Sequence, residues 1–365
     1  MFGLKNIYKK IIIYKLVYIY MADNIKKLIE QLQLIFSIKS GLKFEIYNNK
    51  NSKIEISVND IKKTNYKKIF NFKHFVDKED VNNSNIKRII KFSRNFLNNQ
   101  LILFGIYDNN KPVLNKWIDY YELLYVSRFF DIIKENKLSI NVFYLDNSKE
   151  IFECTDYYLK RWNSDIVYNK TILDEPDLKK NIKKYEEKCS NMDLLVSFDN
   201  KNNFYEHILF ILYNLKINGN AIIKLNLFLF NHKIMVDIFF ILYNNFEKIF
   251  FYKPSSKIFS DKFIIICYNY KKSLSSDDFD KLFKISTNIN NYSIIDDYSK
   301  DFIFHFINFT TEIYEEYFKN INTLISFSKI DLTDNDRSEI INQKQISCNK
   351  WIEYYIFGKS VFENK

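Results

Sequence analysis

Two rhythms of apolar positions run along this chain: stripes spaced three and four residues apart, and short alternating or unbroken runs. The first predicts helices and the second strands. Asp23 stands as an N-cap before Ile25, Leu28, Ile29, Leu32 and Phe36, a helical stripe. Phe44 and Ile46, then Ile54, Ile56 and Val58, alternate with polar residues about an Asn-rich turn and predict a hairpin. "QLILFGIYD" (100–108) reads as a strand, and Pro112 precedes a helix over "NKWIDYYELLYVSRFFDIIKE" (115–135). From Ile140 the pattern alternates strand with helix. "INVFYLDNSKEIFECTDYYLKR" (140–161) predicts a buried strand, a tight turn and a helix, and "MDLLVSF" (192–198) a second strand. Ile208, Ile211, Leu212 and Leu215 form a helical stripe that Gly219 closes, after which "NAIIKL" is a strand, "HKIMVDIFFILYNNF" a helix, and "EKIFFYK" and "KFIIICYNY" the last strands. That order predicts two crossover units packing helices against a central sheet. Beyond Ser273 the chain turns helical, with "DFIFHFINFTTEIYEEYFKNINTLISF" (301–327) the longest stretch. The domains expected are an α+β extension over 1–110, an α/β domain over 111–273 and a helical region over 274–365.

Composition sharpens this picture in places. With 365 residues, 47% hydrophobic and 18% aromatic, the chain is globular and long enough to bury a sizeable core. Only 5 Gly and 3 Pro among abundant Lys, Asn, Ile, Tyr and Phe point to a coding sequence drawn towards A and T. The net charge of +10 suits an anionic partner, and equally suits a surface on which Lys has replaced other polar residues. The same two readings apply to "IKKTNYKKIFNFKHF" (61–75), whose interleaved aromatics and lysines suit phosphates and bases. Cys154, Cys189, Cys267 and Cys348 lie far apart without a CxxC pair, and His74, His207, His232 and His305 are as scattered. No disulfide framework and no metal are expected, and the cytoplasm is the expected compartment. Residues 1–20 are apolar but interrupted by Lys5, Lys9, Lys10 and Lys15 and lack a small-residue cleavage site, so no membrane span is expected. A leader, a surface segment and initiation at Met21 all remain open readings. The echo between "NKWIDYY" (115–121) and "NKWIEYY" (349–355) has no support in its surroundings and reads as chance.

The turn after the first core strand lacks the glycines that let a backbone approach a cofactor: Asp146, Asn147, Ser148, Lys149 and Glu150 stand there. Across residues 113–271 the order of segments resembles the FtsJ-like RNA ribose 2′-O-methyltransferases, in particular their cap-methylating viral and Adrift-type branch. "NKWIDYYELL" is similar to that family's N-x-W-x-K-x-Y-E helix, with Asp119 where its first catalytic lysine stands. "VFYLDNSKEIF" resembles its F-H-L-C-E-A-P-G-x-F cofactor loop without the glycine. "DLLVSFD" resembles the strand leading to its catalytic aspartate, and "INGNAIIKL" the strand presenting its central lysine. "FYKPSSKIFSDK" resembles K-P-x-S-R-x-x-S-x-E at Lys253, Pro254, Ser256, Lys257 and Ser260, with Lys262 in place of the final glutamate and Asp261 beside it.

The resemblance implies a Rossmann-like α/β methyltransferase sandwich with a mostly parallel sheet, and S-adenosylmethionine as cofactor if the protein is active. It makes Lys224 and Asp199 the catalytic candidates, with Asp119 and Lys262 at the other two positions. Leu145, Asp146, Asn147 and Ser148 form the aligned cofactor loop, and Lys253 and Lys257 are the RNA contacts. A 2′-hydroxyl methyl transfer needs a donor held in line and a base placed within hydrogen-bond reach. One lysine of the family's Lys-Asp-Lys-Glu set is acidic here and its glutamate basic. The expectation is therefore a catalytically silent relative that binds RNA, such as capped mRNA, or stimulates a catalytic capping or transcription subunit. The bias in composition suggests a large DNA virus, with a viral factory or virion as alternative locations. An active cap 2′-O-methyltransferase and a structural protein of a particle are the rival readings.

Overall fold

In the computed structural model, the described residues are 42–47, 99–101, 115–135, 138–146, 148–173, 185, 189, 191–198, 204–255, 260–271, 276–285, 295, 297–328 and 333–358. The chain divides into two compact units. One comprises residues 41–73 and 110–317, the other 1–40, 74–109 and 318–365. In chain order, the first unit carries β1 (Leu42–Tyr47), α1 (Asn115–Ser127), α2 (Phe129–Lys134), β2 (Ser139–Tyr144), α3 (Lys149–Trp162), β3 (Val167–Ile172) and β4 (Leu194–Ser197). It continues with α4 (Phe204–Asn214), β5 (Asn220–Asn226), α5 (Lys233–Asn245), β6 (Phe246–Lys253), β7 (Lys262–Tyr270) and α6 (Ser276–Ile285). The boundary between the units falls within α7 (Lys300–Ser328), and α8 (Asp334–Trp351) belongs to the second.

The sheet has seven strands in the order β1-β6-β7-β5-β4-β2-β3. β3, β2, β4 and β5 pair in parallel, whereas β7 is antiparallel to both β5 and β6, and β1 to β6. Strands buried on both faces should read as continuous apolar runs. β4 (LLVS) and the first six residues of β5 (NAIIKLN) are buried throughout.

Register sorts the side chains by face. On one face Phe143 stacks on Phe210 of α4 at 5.7 Å, and Phe251 meets Phe239 of α5 at 5.4 Å and Phe309 of α7 at 3.7 Å. On the other, Tyr144, Val196, Ile222 and Lys224 lie under α1, α2 and α3, where Thr155 of α3 bonds Tyr144 at 2.8 Å and Phe129 of α2 meets Tyr268 at 5.8 Å. The result is a three-layer α/β/α unit. α5 is buried nearly all round, as its largely apolar sequence requires. Its Asp237 is held by Lys233 at 2.5 Å and by the Tyr298 hydroxyl, while Lys233 also donates to the Ile295 carbonyl at 3.1 Å.

Several expectations change. The helix expected over 115–135 is two helices, divided at Arg128, whose φ of 50° is left-handed. Residues 99–101 are helical, not the beginning of a strand. Phe44 and Ile46 lie in β1, at the edge of the main sheet against β6. β3 went unread because "VYNKTI" is an edge strand with much of its length exposed, so no apolar run marks it. The helix expected over 23–36, the Ile54–Val58 half of the hairpin, the 61–75 stretch and residues 1–20 lie outside the described residues.

Gly219 ends the α4–β5 connection for a packing reason. A Cβ there would lie 2.6 Å from Leu215 Cδ1 and 2.8 Å from the Lys216 carbonyl oxygen. Gly219→Ala should destabilise the protein by roughly 1–3 kcal/mol, read as a lower urea midpoint at unchanged slope.

Candidate functional site

Helix α1 carries two acids three residues apart in an otherwise apolar sequence, and both are fully buried: Asp119 and Glu122. Such spacing points both side chains to one helix face, here the face on the sheet. Asp119 Oδ2 lies 3.1 Å from Lys224 Nζ of β5, and Lys224 is only 8% exposed. The same ammonium lies 4.5 Å from the ring centre of Phe198, which Tyr120 meets edge-on at 5.1 Å. Glu122 accepts from the Tyr252 hydroxyl and from Ser255, through its backbone N–H at 2.7 Å and its Oγ at 2.9 Å. A buried carboxylate with three donors is well satisfied and works as an anchor. It fixes the end of β6 to α1.

The bend after β2 is tied to β4. The Leu145 N–H donates to the Val196 carbonyl at 2.9 Å, and the Phe198 N–H donates to Asp146 Oδ2. Asp146 Oδ1 lies 3.7 Å from His207 Nδ1 of α4, and Ser197 Oγ shares a 2.8 Å hydrogen bond with that same nitrogen. Serine, histidine and aspartate thus meet, but a nucleophilic relay needs carboxylate and hydroxyl on opposite ring nitrogens. Burial lowers the His207 pKa, and the Asp146 charge opposes that shift. Ser148 is buried and donates to Glu150 at 2.8 Å.

Of the residues expected from the sequence, Lys224 and Asp119 meet directly. Leu145, Asp146 and Ser148 occupy the bend, where Asp146 turns inward to bond the chain. Lys253 does not face solvent. It is 5% exposed, and its ammonium donates to the carbonyls of Ser260 and, at 3.0 Å, Lys262, closing the loop between β6 and β7. Lys262 is exposed at the start of β7. Asp199, Asn147 and Lys257 lie outside the described residues.

Glu122 and His207 were not singled out from the sequence. Glu122 was legible as the second acid of an apolar helix, at the last position of the N-x-W-x-K-x-Y-E pattern. His207 was not, because its partners lie 10 and 61 residues away in sequence. Among the described residues no group of His, Cys, Asp and Glu is placed to hold a metal ion, and no helix is long and apolar enough to cross a membrane. No protein-family model matches the chain, and no curated protein matches it in sequence.

Two measurements probe these ties. Removing one member of a buried ion pair strands the other's charge, so Asp119→Leu or Lys224→Met alone should destabilise by roughly 3–5 kcal/mol. The double replacement should recover most of that loss in urea unfolding. His207 is held neutral by burial, so its folded pKa lies below its unfolded one and the unfolded chain binds the extra proton. Its contribution to stability should be complete above the unfolded imidazole value of about 6.5 and fade as pH falls below it. His207→Gln should remove that part of the stability–pH slope.

Proposed function

We propose that this chain is a catalytically silent relative of the FtsJ-like RNA ribose 2′-O-methyltransferases. It serves as an RNA-facing or partner-stimulating subunit in mRNA capping or processing. The observation that carries this reading is the Asp146 carboxylate bonded to the Phe198 N–H. In doubly wound sheets, ligands lodge outside the carboxyl ends of the strands where the strand order reverses. That point lies here between β2, which leads outward to β3, and β4, which begins the run in the other direction. Asp146 joins the ends of those two strands and takes the backbone donor on the β4 side. The donor set does not suit S-adenosylmethionine either, since the bend has Glu150 at the aligned glycine position and its Asp146 carboxylate is already engaged by the Phe198 N–H.

The second support is the Lys224–Asp119 pair. A base acting on a ribose hydroxyl must reach it within hydrogen-bond distance. The ammonium of Lys224 is instead enclosed by a carboxylate of α1 and the Phe198 ring. Lys262, at the fourth position of the aligned set, is exposed and cannot replace a buried glutamate in orienting a lysine.

Calorimetry of the full chain with S-adenosylmethionine should give no binding heat. Single-stranded RNA should bind with an affinity that falls as salt rises, by a log–log slope of roughly −0.7 per phosphate contacted. Binding of the methyl donor together with methyl transfer to a ribose would overturn the silent reading. Absence of salt-dependent RNA binding would overturn the RNA-facing one.

A further inference from the structure

At the opposite end of α3 from the bend, Arg161 and Trp162 form a surface feature. The chain has three tryptophans. Trp117 and Trp351 are buried, whereas Trp162 is 37% exposed. An exposed indole is usually free to choose its rotamer, but this one is held. Its Nε1–H donates to the Tyr121 hydroxyl at 2.9 Å, and Tyr121 in turn stacks on Trp117 at 4.9 Å with 5° between the planes. Tyr125 meets the edge of the indole at 5.7 Å. The guanidinium of Arg161 lies over the Trp162 ring at 5.3 Å.

The choice of cation is informative. Among 54 basic residues only Arg88, Arg94, Arg128, Arg161 and Arg337 are arginine, so the chain uses lysine wherever a positive charge suffices. Arginine differs in offering a planar, weakly hydrated ion that stacks on aromatic faces. Exposed Lys160 and Arg128 carry further positive charge on the same two elements, the end of α3 and the α1–α2 junction. A fixed aromatic ring beside planar and point-like cations is the chemistry that takes an unpaired base with its phosphate.

We propose that the Arg161–Trp162 pair is a stacking site for an unpaired nucleobase of single-stranded RNA. The site rests on the RNA-facing reading above and locates that role on the α1–α3 face. Base and phosphate divide the work: Trp162 and the guanidinium plane take the base, while the positive charge takes the backbone.

The test titrates the full chain with fluorescein-labelled oligo(U), and separately with heparin, which has the charge and no bases. Trp162→Leu should weaken oligo(U) binding by roughly 5- to 100-fold, Trp162→Phe should retain most of it, and neither should alter heparin binding. Because Trp162 also touches Tyr121 and Tyr125, Arg161→Lys is the second variant. It keeps the charge and the fold and should weaken oligo(U) several-fold while leaving heparin unchanged. If the wild type binds oligo(U) and Trp162→Leu and Arg161→Lys bind it equally well, the stacking site is refuted and the RNA-facing reading stands. Equal losses for heparin and oligo(U) would show a purely electrostatic surface and also refute it. A wild type that does not bind oligo(U) refutes both.

Discussion

A lysine ammonium on the inner face of a sheet is the constraint around which this fold is arranged. Lys224 lies on β5 beneath α1, among side chains that are otherwise apolar, and a charge there is tolerated only with a partner. Asp119 supplies it, and in doing so fixes the rotation and height of α1 over the sheet. Glu122, almost one turn further on, repeats the arrangement at the end of β6 through Tyr252 and Ser255. α1 is thus held to β5 and β6 through two buried acids, while its Trp117 and Tyr121 pack against Tyr157 of α3.

The bend after β2 follows the same logic with a different acid. In a bend without glycine, Asp146 brings a carboxylate that needs a donor and finds it in the Phe198 N–H. Phe198 then links the two sites, since its backbone serves Asp146 and its ring faces Lys224. The bend and the Lys224 ammonium are thus both engaged by the protein's own polar contacts.

Much of this was readable from the sequence, for identifiable reasons. The α/β order followed from periodicity because β4 and β5 are buried on both faces and α4 and α5 are apolar nearly all round. Lys224 was reached through the resemblance of "INGNAIIKL" to a lysine-presenting strand, and nothing in the spacing announced its burial. β3 went unread, since an edge strand with exposed side chains has no apolar signature. The break at Arg128 was hidden too, because the apolar spacing runs across it and nothing in arginine announces a left-handed backbone. The burial of Lys253 was hidden for a related reason. Lysine in a loop motif reads as a surface cation, and only the chain's path shows its ammonium turned back on the carbonyls of Ser260 and Lys262. The meeting of Asp146, Ser197 and His207 depends on long-range pairing that spacing alone does not encode.

The pairing of Asp119 with Lys224 also limits the sequences within mutational reach of this one. Lysine alone at position 119 would set two ammonium groups face to face in a buried space, and a neutral residue at either position would strand the other's charge. Any single change at position 119 or 224 therefore crosses a fold weakened at its centre. The contact acts as a ratchet: the surface can drift widely, while the pair itself can be exchanged only by two changes made together.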